Sequence, residues 1–152
     1  MAAPIYKGGK PFFGSGLRQR VPVIASSGAT MTITKANSGS IYLLDRATLT
    51  YTLPAPKVGL WYVFIGTIAA TAQEIDTDAG TTFLMGAVAI ASSGTRGDFA
   101  GNGTSHVKVQ LNGTTKGGAA VGSVLYFYCL TATQWQVDGQ LNGSGVAVSP
   151  FA

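Results

Sequence analysis

From Val21 onward the chain never sustains an amphipathic helical period; its apolar side chains come in short β-prone runs separated by turn signals. The runs are Val21–Ala25, Ala29–Lys35, Ser40–Leu44, Leu49–Leu53, Leu60–Ile68, Glu74–Thr77 and Thr82–Ile90. Beyond a Gly- and Ser-rich loop at Ala91–Gly103 come Ser105–Leu111, Val121–Leu130, Gln134–Asp138 and Val146–Val148. They recur about every ten residues, the rhythm of sandwiches and barrels. Thr30–Thr34 reads T-M-T-I-T, and Val107, Val109 and Leu111 take alternate places, so each run turns one face to a core. Asn-Gly at 102–103, 112–113 and 142–143 supplies tight turns, because both residues tolerate positive φ. No internal repeat of fixed length accompanies them. The expected fold is all-β: a single antiparallel β-sandwich or jelly-roll-like body over residues 21–152, with an extended N-terminal arm over residues 1–20.

The arm carries the charge. Lys7, Lys10, Arg18 and Arg20 lie in the first twenty residues with no acid among them, and the rest of the chain has as many acidic as basic side chains, so the net +4 belongs to the arm. Its glycines, prolines and the pair Phe12–Phe13 follow neither helical nor strand periodicity, which predicts an extended segment. Ile5, Tyr6, Phe12, Phe13 and Leu17 are more apolar anchors than a solvated tail carries, so the arm is expected to order on binding something acidic. Tyr6, Lys7, Lys10, Phe12, Phe13, Leu17, Arg18 and Arg20 are the candidate attachment residues. Four cations over a neutral body are too few for nucleic-acid binding by phosphate contacts, so no nucleic-acid partner is expected.

Only 11% of residues are charged, against about 25% in ordinary soluble domains, while 46% are hydrophobic; much of the surface is therefore expected to face protein. Tyr42, Trp61, Tyr62 and Tyr126 are candidate oligomer contacts, with an equal claim as core aromatics. Trp135, flanked by Gln134 and Gln136, is expected in the core. Cys129, the single cysteine, lies in an apolar run and reads as a buried, inert thiol compatible with synthesis in a reducing cytoplasm. Neither a secretion signal nor a membrane span is expected, since the longest apolar run, Leu60–Ile65, is strand length.

The residues offer little to catalysis. His106 is the only histidine, and alternation sends it to the face opposite Val107 and Ser105, so no Ser–His pair is expected. One Cys and one His do not make a zinc site, and no cofactor or metal is expected. Glu74, Asp76 and Asp78 alternate on one run; they lack the closing bidentate Glu of a calcium loop and read better as the polar face of an edge strand. Arg96-Gly97-Asp98 matches an integrin-type tripeptide, and Asn102, Asn112 and Asn142 sit in formal glycosylation acceptors that read as turns.

Four phrases taken together carry a likeness: A-A-P-I-Y-K-G-G-K-P-F-F-G-S-G-L, S-G-S-I-Y-L-L-D-R-A-T-L-T-Y-T-L-P-A-P-K-V-G-L-W-Y-V-F, D-A-G-T-T-F-L-M-G and T-A-T-Q-W-Q-V-D-G-Q-L. They resemble small virion proteins of tailed bacteriophages, in particular the head decoration or cement class. The likeness implies a noncatalytic β-sandwich protein, synthesised in the host cytoplasm, that forms a homotrimer on the capsid exterior, binds the major capsid protein and cross-bridges its neighbours. The T-L-P-A-P-x-x-G phrase is also similar to fibre and tail modules, which keeps open a receptor- or glycan-binding head displaying Arg96, Asp98 and Asn102. A sugar hydrolase would need two carboxylates facing across a cleft, and nothing in the sequence places such a pair.

Overall fold

A computed structural model describes residues 21–92, 95–119 and 121–152. The arm and its attachment residues lie outside the described residues. Among the described residues eleven strands form: β1 (Val23–Ile24), β2 (Thr30–Thr32), β3 (Ser40–Leu44), β4 (Thr48–Thr52), β5 (Trp61–Gly66), β6 (Ala72–Asp76), β7 (Phe83–Ser92), β8 (Thr95–Asn102), β9 (Lys108–Leu111), β10 (Val124–Cys129) and β11 (Gln134–Asn142). A 3-10 turn at Lys35–Asn37 follows β2. The all-β expectation holds.

The strands make a seven-stranded sheet, β1-β3-β5-β10-β11-β7-β8, and a four-stranded sheet, β2-β4-β6-β9. Up to β6 the chain enters the two sheets in strict alternation. Each strand therefore lies beside the one two places earlier and runs the same way, and β1–β3, β3–β5, β2–β4 and β4–β6 are all parallel. The expected antiparallel pairing is corrected: both sheets are mixed, with a further parallel pair at β7–β11. Alternation reports which face is buried and is blind to strand direction, so parallel and antiparallel strands with one wet face read alike. Val23, Ile41 and Val63 lie side by side, as do Thr30, Thr50 and Glu74, at unequal sequence intervals. These coils are why no fixed-length repeat is visible.

Beyond β6 the chain reverses. β9 closes the smaller sheet antiparallel to β6, and β10 lies antiparallel to both β5 and β11. The C-terminal residues line the far side of β9: Phe151 bridges Val109, and the Ala152 amide donates to the Lys108 carbonyl at 3.0 Å. Val146–Val148, expected as a strand, forms none.

One core joins the two sheets. The inward row Tyr42, Phe64 and Leu125 of the larger sheet meets Leu49, Tyr51, Ile75 and Val109 of the smaller. The Tyr51 ring centroid is 5.4 Å from Tyr42 and 5.4 Å from Phe64, so the aromatic layer spans the gap between sheets. Trp135 is fully buried beside Tyr62, as expected, and Cys129 is a buried free thiol whose pKa burial pushes up. Asn102-Gly103 and Asn112-Gly113 form the expected turns, with Gly103 and Gly113 at φ 70° and 74°. In each the Asn carboxamide oxygen accepts backbone N–H bonds, from Thr104 and Ser105 in the first and from Thr114 and Lys116 in the second.

Candidate functional site

In each sheet alternate residues leave the core, so the functional surface is read from the outward rows. On the larger sheet one row runs Val23, Ile41, Val63, Tyr126, Asp138 and a second runs Leu43, Ile65, Val124, Gln140. Trp61 faces Tyr128 in a third. Across β1, β3, β5 and β10 every outward side chain of these rows is aliphatic or aromatic, and the charge begins only at Asp138 on β11. Trp61, Tyr126 and Tyr128 are 37%, 39% and 40% exposed, large values for aromatics in the middle of a sheet. The Trp61 amide donates to Ser38 Oγ at 3.1 Å and its carbonyl accepts from the Gly39 amide at 2.9 Å, so the backbone that presents the indole is fixed. An uncharged sheet face with three exposed aromatics is the feature of the described surface that most departs from an ordinary solvated one.

The four aromatics singled out as oligomer contacts divide. Trp61 and Tyr126 stand on this face. Tyr42 and Tyr62 do not: both are wholly buried, so the interface assignment is corrected for them and the core reading stands. They fall on the even positions of β3 and β5, which point inward; the sequence presents apolar residues on both parities there. The Tyr62 hydroxyl donates to the Thr34 carbonyl at 3.1 Å, and burial pushes its pKa up to about 12. Tyr42 is likewise raised, chiefly by burial. Tyr128, Ile41 and Ile65 were missed as surface residues, although V-L-Y-F-Y-C in β10 signals a strand apolar on both faces.

The remaining candidates are placed as follows. Glu74 and Asp76 do share the outer face of β6, but β6 is no edge strand, since β4 flanks it on one side and β9 on the other. What replaces edge protection is pairing: Lys108 Nζ lies 3.4 Å from Glu74 and Gln110 Nε2 donates to Glu74 Oε1 at 2.6 Å. Asp78 lies beyond the strand, and among the described residues no group of acidic, His or Cys side chains is arranged to hold a metal ion. His106 is half-buried against Phe151, ring centroids 5.7 Å apart, with Nδ1 accepting from the Asn102 amide. Ser105 Oγ accepts from Asn102 Nδ2 instead of meeting His106.

In the segment Ala91–Gly103, expected as a display loop, Ala91 and Ser92 end β7 and Thr95–Asn102 form β8, an outer strand of the larger sheet. Arg96 and Asp98 lie on one side of that strand and pair with each other at 3.0 Å, 71% and 67% exposed, while Phe99 packs inward. Among the described residues no helix is long and apolar enough to cross a membrane. No family model matches this sequence, and no curated protein or solved structure is significantly similar to it.

Proposed function

We propose that this chain is a noncatalytic structural protein of a phage virion, which binds the outer surface of the capsid as a trimer and cross-bridges neighbouring capsid subunits. The single observation that carries the reading is the uncharged outer face of β1, β3, β5 and β10, with Trp61 and Tyr128 exposed at its centre. Such a face belongs against protein, and in this reading the copies of a sandwich-like body meet around Trp61 and Tyr128, leaving Tyr126 and the border at Asp138 open. Residues 1–20 supply the attachment: cations for an acidic capsid surface, Phe12 and Phe13 for shallow pockets, and an extended main chain able to add to an exposed sheet edge. Three arms per trimer and many trimers per shell multiply a small contact into a stable one.

Two experiments test it. Gold-labelled antibody against the protein should decorate the heads of particles encoded by the same genome; label confined to the tail tip would overturn the head assignment and favour the fibre reading. Removing residues 1–20 should abolish docking while the body keeps its far-ultraviolet spectrum and its trimeric sedimentation. Docking that survives the deletion would overturn the role of the arm.

A further inference from the structure

The outer face of the larger sheet changes character at β10–β11, and the change coincides with a depression of about 500 Å³. Tyr126 and Val124 on β10 form its apolar wall, Asp138 and Gln140 on β11 its polar bed, and Arg96 on β8 its far rim; Ala89 on β7 keeps the ground between them low. The registers explain the shape: Tyr126 lies opposite Asp138, Val124 opposite Gln140, and Gln140 opposite Ala89, which in turn faces Asp98. Tall aromatic, short polar, methyl and ion pair thus succeed one another across adjacent strands.

We propose that this depression binds a neutral pyranose of a glycan. A sugar ring is amphipathic in the same sense as the depression, with a C–H face that stacks on an aromatic ring and a rim of hydroxyls that both donate and accept. Tyr126, exposed on the outer face, is the stacking platform. Asp138 is an acceptor for two hydroxyl protons, and Gln140 offers a donor and an acceptor together. Both are exposed, and neither of the two ion pairs among the described residues engages Asp138. Arg96 is already neutralised by Asp98 at 3.0 Å, so Asp138 sets the sign of the depression and repels carboxylated or phosphorylated sugars. A protein partner seated here would bury that carboxylate without a partner, the costly arrangement that protein interfaces avoid at their centres. The size suits one or two rings, and a single open subsite of this kind corresponds to a dissociation constant on the order of 1 mM. The inference does not depend on where in a virion the chain resides.

The test is a titration of the full, isotopically labelled chain with maltohexaose, cellohexaose, mannohexaose and N-acetylchitohexaose, followed by amide chemical shifts, with polysialic acid as the acidic comparison. At least one neutral oligomer is expected to shift the amides of Ala89, Val124, Tyr126, Asp138 and Gln140 in a saturable way, and polysialic acid is not. Tyr126→Ala should weaken that binding at least about tenfold, equivalent to about 1.4 kcal/mol. Should Tyr126→Ala fail to fold, Asp138→Asn, which alters one exposed acceptor group, should also weaken binding at unchanged melting temperature. Absence of shifts from all four oligomers, shifts elsewhere on the surface, or binding indifferent to both substitutions would overturn the proposal. So would a change of oligomeric state on Tyr126→Ala without any sugar-dependent shift, which would make the depression part of a protein contact.

Discussion

The two sheets share a core and present opposite outer faces. On the smaller sheet the outward positions are Thr30, Thr32, Thr48, Thr50 and Thr52, then Ala72, Glu74 and Asp76, then Lys108 and Gln110. All but Ala72 carry a hydrogen-bonding group, and of the charged members Lys108 and Glu74 are paired across strands. On the larger sheet the equivalent positions of β3, β5 and β10 are Ile41, Leu43, Trp61, Val63, Ile65, Val124, Tyr126 and Tyr128. Both faces are built by the same alternation, so the difference is one of composition at outward sites. β-Branched threonine favours a strand as well as isoleucine does while remaining solvated. The contrast therefore teaches that the aromatic face is not required by the fold, which suits the smaller sheet without it.

The largest expected effect would test whether the shared core is truly common to both. Phe64 contacts Tyr42 and Phe127 in its own sheet and Tyr51 in the other. Phe64→Ala should cost about 3–5 kcal/mol, with amide protection lost from β4 and β6 together with β5 and β10. Exchange that spares the smaller sheet would split the molecule into two independent units and break the comparison at its root.

Next in size is the contrast of the outer faces themselves. Trp61→Glu combined with Tyr128→Glu should weaken self-association by about 2 kcal/mol or more, a roughly thirtyfold change in dissociation constant, measured by sedimentation. Thr50→Glu on the smaller sheet should leave association unaltered. Equal losses from both faces would show that the apolar rows are not the contact.

A smaller effect separates tyrosines by what their hydroxyls meet. Those of Tyr51 and Tyr62 donate to the carbonyls of Leu43 and Thr34 at 2.9 and 3.1 Å, whereas that of Tyr42 makes no hydrogen bond of good geometry among the described residues, the Asn37 side chain only lowering its pKa against the effect of burial. Tyr62→Phe should cost about 1 kcal/mol and Tyr42→Phe nothing or less than nothing in urea denaturation. Because burial raises the Tyr62 pKa to about 12, its folded state keeps the phenol protonated when the unfolded chain ionises. The stability it contributes is complete below pH 10 and declines by about 1.4 kcal/mol for each pH unit from there to about 12. Tyr62→Phe should blunt this alkaline loss.

Much of this architecture was legible in the sequence. β3 was read residue for residue as Ser40–Leu44, and the turns at Asn102-Gly103 and Asn112-Gly113 fell where positive φ was expected. Strand direction was not legible, because whether Tyr42 lies beside Phe64 or beside Leu49 depends on which way the chain turns at Asp45–Ala47, and both routes bury the same parity. β8 was hidden because its inward places include Gly97 and Gly101, residues that signal loops. The structure needs them small: a Cβ on Gly101 would stand 2.8 Å from the Leu84 carbonyl oxygen. As for the surface, Trp61 and Tyr126 were recognisable as aromatics but not separable from Tyr42 and Tyr62, since β3, β5 and β10 are apolar on both parities. Deciding which parity is wet requires the position of the second sheet, a tertiary fact. The depression at Asp138 and Gln140 assembles where the β7–β8 hairpin meets the β10–β11 hairpin, and the parallel β7–β11 pairing that joins them owes nothing to proximity in sequence.

The smallest expected effect lies within the polar face and asks whether all its charges are equally at ease there. Asp76 is the exception: burial raises its pKa, Glu74 two residues away raises it further, and Lys108 opposes both. One carboxylate oxygen is buried without a hydrogen-bond partner among the described residues. With the folded pKa above the unfolded one, the contribution of Asp76 to stability is complete below pH 3.8 and lost as the pH rises through the folded value. At pH 7 the group therefore works against the fold, and Asp76→Asn should raise the melting temperature there, with the gain vanishing toward pH 3. Glu74→Gln should change the melting temperature little, because it removes the attraction to Lys108 and the repulsion of Asp76 together. If both substitutions destabilise equally at pH 7, the outward carboxylates of β6 act as one balanced network and the smaller sheet has no strained member at all.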